Sequence, residues 1–282
     1  MNTNRNSTGN PWEDRYYSKE LEYGELLERL PDILASGISE RTAERMSGYL
    51  SNPDFVIGSG MSPFRYLEAY YRVENTHSWL ARYFWDALED AARASVDNLK
   101  CFEYGSRTLL ASDVSEEMLQ PVTEGSLIYR YDVGIFLSFL LHAADRRVET
   151  GIFGNGWVAA QFRGAVLGNT DQMRLFSRFF KEGVGQGARG CAVIDHLVGK
   201  AVPMDRVMLF TDHRLGDLDD YGSGLPGGPL RTSWAAYKAL YPRAGLYLFD
   251  LSGEGECSVE WDGEDVCLVS GWDMDVFGRL DR

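Results

Sequence analysis

Cysteine and histidine are scarce: four of each stand among 282 residues, and no pair of them has CxxC or HExxH spacing. That excludes the commonest zinc sites and a disulfide framework. Cys101, Cys191, Cys257 and Cys267 each sit beside apolar residues, so they read as buried free thiols kept in a reducing compartment. Long hydrophobic runs are also missing. The longest, Ile135 to Ala144, is interrupted by Ser138 and His142 and is far too short to span a bilayer. Met1 is followed by Asn2, Thr3, Asn4, Arg5, Asn6 and Ser7, which lack the apolar stretch of a secretory signal. A soluble, cytoplasmic protein with no membrane contact is expected. Basic residues are in deficit: 28 Lys and Arg face 42 Asp and Glu, a formal charge of −14. Such a chain repels phosphate backbones on average, which disfavours a broad nucleic-acid surface while leaving room for a local patch. No Walker A or GxSxG pattern occurs, so the common phosphate-loop and nucleophile-elbow chemistries find no motif.

What is present is enough apolar and aromatic residue to bury a sizeable core, in a chain long enough for one large domain or two moderate ones. Residues 1–19 are polar, Asn-rich and broken by Pro11, and read as a loose arm that Trp12, Tyr16 and Tyr17 could pin to a surface. Residues 20–104 read as an all-helical segment. Leu26, Leu27, Leu30, Ile33 and Leu34 share one helical face, with Pro31 marking a kink or break. Ser39 caps a helix over 40–50, and Pro63 opens the next. Pro53 and Gly58-Ser59-Gly60 read as a connection, and a further helix covers Trp79 to Val96.

From residue 105 to 282 the pattern alternates between helices and short apolar strands, as in a doubly wound α/β sheet. Strands are expected at Thr108–Ser112, Val148–Phe153, Val158–Phe162, Arg206–Phe210, Leu246–Leu251 and Val266–Ser270. Helices are expected near Tyr131–Asp145, Met173–Lys181, Cys191–Val198 and Ser233–Leu240, with a helical turn at Met274–Leu280. Two strands without hydrophobic alternation, the mark of central covered strands, end in acid and hydroxyl: Asp113 with Ser115, and Thr211 with Asp212. In such sheets ligands bind beyond the carboxyl ends of the strands, so both clusters belong to one edge. Hard oxygens converging there suit Mg²⁺. The same residues can equally cap the helices that follow.

Asp113-Val114-Ser115-Glu116-Glu117-Met118 resembles the DxSxS opening of a von Willebrand factor A domain, and Phe210-Thr211-Asp212 resembles that fold's later metal-site strand end. Ser62-Pro63-Phe64-Arg65-Tyr66-Leu67-Glu68-Ala69 resembles the last ring helix of the Ro ribonucleoprotein (TROVE) family, and Leu26 to Leu30 with Ala43 to Leu50 its last helical repeats. Val266 to Asp273 resembles its closing strand. The resemblance implies the end of a helical-repeat ring joined to an A-like domain with a degenerate metal-ion-dependent adhesion site. It implies Mg²⁺ or Mn²⁺ held by Asp113, Ser115, Glu117 and Asp212, with Thr211 and Arg189 as neighbours. Two departures stand out. Glu117 occupies the third position, where the family has Ser, and Gln186 to Cys191 offers no hydroxyl where the family supplies Thr. Arg189 could instead pair with Glu117 and leave the site empty of metal.

Three functions follow. The first is a non-enzymatic binding or assembly protein that receives a protein partner on the strand-end rim, with or without Mg²⁺. The second is an RNA-associated, minimal Ro-like protein binding small structured RNA. The third is a metal-independent structural or oligomer-forming protein. Phosphate contacts, if any, fall to Arg146, Arg147, Arg174, Arg178 and Lys181, which otherwise read as solvated charges. Asp217-x-Asp219 reads as an acidic surface loop because the remaining calcium ligands are missing. His213 has no nucleophile near it in sequence, so no enzyme is expected.

Overall fold

The computed structural model describes residues 8–99, 105–160, 164–173, 187–212, 228–252 and 265–272. The chain divides into two compact units, Met1–Lys100 and Cys101–Arg282. Among the described residues no helix is long and apolar enough to cross a membrane.

The first unit is helical. Its helices are α1 (Pro11–Tyr17), α2 (Tyr23–Glu28), α3 (Leu30–Ala35), α4 (Glu40–Leu50), α5 (Pro53–Ser59), α6 (Pro63–Glu74) and α7 (Ala81–Ala94), followed by a 3₁₀ turn at Ser95–Asn98. Three helices start the same way, with Asn or Ser at the cap and Pro next: Asn10-Pro11, Asn52-Pro53 and Ser62-Pro63. The cap oxygen satisfies an otherwise orphaned backbone N–H, and proline gives up no helical bond in the first turn. This start signal makes helices of two stretches expected to be irregular. Residues 11–17 of the presumed loose arm form α1, which is tied to α4 by the Tyr16 hydroxyl donating to Arg45 O at 3.0 Å. Residues 53–59 of the presumed connection form α5, which Gly60 ends in the left-handed region at φ 61°. Leu26, Leu30, Ile33, Met46, Tyr66, Leu67, Phe84 and Leu88 fill the core between these helices.

The second unit is built on a six-stranded sheet of β1 (Thr108–Asp113), β2 (Val148–Phe153), β3 (Trp157–Ala159), β4 (Arg206–Thr211), β5 (Gly245–Asp250) and β6 (Val266–Ser270). Its order is β3-β2-β1-β4-β5-β6, and every pairing is parallel except β2 with β3. The helices are α8 (Arg130–Ala144), α9 (described over 166–173), α10 (Cys191–Lys200) and α11 (Gly228–Leu240). This is a mostly parallel α/β sheet flanked by helices. The expected third strand is shorter and earlier than 158–162, because the turn at Gly154-Gly156 is tight enough for Trp157 to pair directly with Phe153. The expected strands ending at Ser112 and Phe210 each run one residue further, through Asp113 and Thr211.

One sheet face packs Leu109, Ala111, Val207, Leu209, Leu246 and Leu248 against Val193, Ile194 and Leu197 of α10 and Leu230, Trp234 and Tyr237 of α11. Full burial of side chains this size contributes roughly 1.5–3 kcal/mol each. α8 covers the opposite face and comes unusually close at Gly134. A Cβ there would lie 2.5 Å from Ser112 Oγ and 2.8 Å from Phe210 Cβ. Gly134→Val should therefore push α8 off β1 and β4 and destabilise the unit by roughly 1–3 kcal/mol, read as a lower urea midpoint at unchanged slope.

Candidate functional site

The sheet winds outward in both directions from β1 and β4. The chain runs β1 to β2 to β3 on one side and β4 to β5 to β6 on the other, so the switch point lies between two central neighbours. Binding crevices of open α/β sheets form at this place, beyond the carboxyl ends. Asp113 closes β1 and Thr211 closes β4, with Asp212 next.

These residues touch. The Thr211 hydroxyl lies 2.9 Å from Asp113 Oδ2 and 2.9 Å from the backbone oxygen of Asp212, so its proton ties the two strand ends together. The Ser115 backbone N–H donates to Asp113 Oδ1 at 2.7 Å. Ser115 and Thr211 are buried, and Asp113 and Asp212 are exposed by only 0% and 1%. Ser115 Oγ lies close enough to Asp113 to favour the ionised carboxylate, yet it has no hydrogen-bond partner of good geometry among the described residues. An orphaned buried hydroxyl costs free energy unless something takes it up.

Burial dominates the behaviour of Asp113 and pushes its pKa from an ordinary 3.8 up to about 7. Hydrogen bonds from Ser115 and Thr211 oppose the rise, and the nearby Asp212 charge adds to it. A buried carboxylate pair with an unclaimed hydroxyl is the donor chemistry of a hard divalent cation. Asp113, Ser115 Oγ and Asp212 fit such an ion, with the remaining positions left to water or ligand. Among the described residues no group of three or more His, Cys, Asp or Glu could hold a metal. The fit therefore rests on two carboxylates supplemented by hydroxyls.

The other expected site residues fall elsewhere. Glu117 lies on a 3₁₀ turn (Glu116–Leu119) with its side chain exposed, whereas Asp113, Ser115, Thr211 and Asp212 are buried. Arg189 is also exposed, and its backbone N–H donates to Gly154 O in the β2–β3 turn at 2.9 Å. The ion pairs among the described residues do not include Glu117 with Arg189. The proposed internal replacement of the metal is therefore not formed. Arg146 and Arg147 precede β2 and so lie at the amino edge of the sheet, opposite the rim. Arg147 is already held by Asp145 at 3.1 and 3.2 Å, and Arg146 approaches His142 Nε2 at 3.2 Å. Arg174, Arg178, Lys181, the 217–220 loop, His213 and the 274–280 turn lie outside the described residues. So do Cys101 and Cys257, while Cys191 is buried and Cys267 half-buried.

Sequence reasoning missed Asp250-Leu251-Ser252, where β5 ends. Ser252 N donates to Asp250 Oδ1 at 2.9 Å and Leu251 N to Thr211 O at 2.8 Å. The same pattern stands at β1, where Ser115 N meets Asp113 Oδ1 and Val114 N donates to Phe153 O at 3.1 Å. The signal was a second Asp-x-Ser directly after an apolar strand. Three adjacent strand ends thus carry the buried acids Asp113, Asp212 and Asp250.

Comparison with solved structures gives the crystal structure of the Deinococcus radiodurans Ro (RSR) protein, with a TM-score of 0.64 and 17% identity. The match covers 94% of this chain and 54% of that one, so this chain spans about half the length of the Ro protein it matches. The shared feature is the fold: helices leading into a mostly parallel α/β sheet. It is the same group that the sequence resembles. No protein-family model and no curated protein sequence matches the chain.

The Asp113 geometry has a pH consequence. Between about pH 4 and pH 7 the folded chain holds a proton on Asp113 that the unfolded chain has lost. This group's contribution therefore falls as pH rises through that window, and the full cost is reached above it. Asp113→Asn keeps the hydrogen-bonding shape without the charge. In chelator, the variant should match the wild type in thermal melting near pH 4.5 and exceed it near pH 8, by an amount on the order of a few kcal/mol.

Proposed function

We propose that this protein is a non-enzymatic binding or assembly protein whose strand-end rim takes up a divalent cation, Mg²⁺ or Mn²⁺, and through it a protein partner. The observation that carries this reading is the orphaned Ser115 hydroxyl beside the buried Asp113–Asp212 pair at the switch point. A cation would claim that hydroxyl and hold Asp113 in its ionised form. It would also supply local positive charge to an acidic molecule, and when bound it offers an open position for a partner oxygen. The likeness in fold to a Ro protein supports a binding role over catalysis.

The RNA-associated reading has less support on this chain. Of its candidate phosphate contacts, the two that are described sit at the far edge of the sheet, and one is engaged in an ion pair. The metal-independent reading relied on a Glu117–Arg189 pair that does not form.

Titration calorimetry with Mn²⁺ on the intact chain tests the proposal. One site per chain is expected, with affinity weakened at least tenfold in Asp113→Asn. Affinity in the wild type should rise with pH up to about 7 and level off above it, because binding must displace the Asp113 proton below that point. Equal heats for wild type and variant would exclude the cation.

A further inference from the structure

A cation at Asp113, Ser115 and Asp212 does not engage Arg130, a further residue of the carboxyl edge with an unclaimed buried donor. It is the first residue of α8, which starts at the carboxyl edge, crosses the sheet and delivers the chain to β2 at the amino edge. Gly134, one turn further along, lies against Ser112 and Phe210, the residues just before Asp113 and Thr211. Residues four apart share a helix face and differ by one turn of rise. Arg130 therefore lies at the carboxyl edge of the sheet, and its side chain reaches the turn after β5.

Its position is fixed from two sides. The Arg130 backbone N–H donates to Gln120 O at 2.9 Å, and Nη2 donates to Ser252 O at 3.2 Å, in the turn that closes β5. Nε is buried and has no acceptor among the described residues. Nor is Arg130 among the ion pairs of the described residues, although three buried carboxylates line the same rim. A guanidinium keeps its charge at any relevant pH and presents its donors as a planar fork suited to a carboxylate. Two unclaimed groups, the Ser115 hydroxyl and the Arg130 Nε–H, thus stand on one edge and call for opposite ligands.

We infer that Arg130 is a second anchor for an acidic partner segment: the cation takes one carboxylate of the partner and Arg130 takes a neighbouring one. The inference rests on the cation reading and adds the partner's chemistry, a stretch with two acidic side chains close together. Without the cation, buried aspartates outnumber the arginine and an acidic segment is repelled. With it, two added positive charges offset that excess, and binding becomes both metal-dependent and selective for paired acids.

Fluorescence anisotropy of labelled hexaglutamate, with hexalysine as the opposite-charge control, tests this on the full chain in saturating Mn²⁺ and in chelator. Hexaglutamate is expected to bind in Mn²⁺ only. Arg130→Gln should weaken it at least tenfold and leave Mn²⁺ affinity by calorimetry equal or a few-fold tighter. Arg130→Lys, which keeps the charge and loses the fork, should fall between, and it carries the comparison alone if the Gln variant does not fold. Hexaglutamate binding unchanged by either variant overturns the inference, as does no binding by Mn²⁺-loaded protein or a preference for hexalysine. If calorimetry finds no Mn²⁺ site, the cation reading fails and the inference falls with it, whereas a Mn²⁺ site that recruits no hexaglutamate overturns the inference alone.

Discussion

β1 and β4 lie side by side in parallel register, and their backbone ladder is what holds Asp113 and Thr211 within hydrogen-bond distance across 98 residues of sequence. Everything at the rim depends on that pairing. It places the first strand of one winding direction beside the first strand of the other, which opens the crevice between them. It also buries both strand ends deeply enough for a carboxylate to resist ionisation. Buried residues on the two sheet faces, Leu109 and Leu209 on one and Ser112 and Phe210 under α8 on the other, fix the register by packing rather than by any contact at the rim itself.

The site is accordingly a by-product of the core in its position and a local device in its chemistry. The Asp-x-Ser turn satisfies one carboxylate oxygen with a backbone N–H and leaves the serine hydroxyl over. This occurs at β1, while at β5 the matching turn offers its carbonyl to Arg130. One turn geometry therefore presents an unfilled oxygen in one place and an anchored guanidinium in the other. The acidic surplus of the chain takes on a local meaning here. At the rim it concentrates into buried aspartates, where a counter-ion matters far more than it would for solvated charges.

Much of this was legible in the sequence. The uninterrupted apolar strands before Asp113 and Asp212 announced central, doubly covered strands, and strand ends of an α/β sheet locate the crevice. The short helices α1 and α5 were less visible. Their Asn-Pro starts are local signals that a reading weighted toward hydrophobic periodicity passes over, since seven residues hold too few turns to show a stripe. Glu117 was placed by motif spacing alone, and spacing could not show that a 3₁₀ turn would point it to solvent. Arg130 had no sequence signature. Its meaning comes from the direction in which α8 crosses the sheet, a property of topology that no window of residues contains.

The missing side chain at Gly134 reaches beyond packing. By letting α8 settle onto β1 and β4, it brings the positive end of a 15-residue helix macrodipole down to the edge where the aspartates end. A methyl group at that position would lift the helix and draw this partial charge away from the strand ends. The electrostatic tuning of the rim is thus set partly by a steric allowance one helical turn below it, in a residue that has no charge and no side chain.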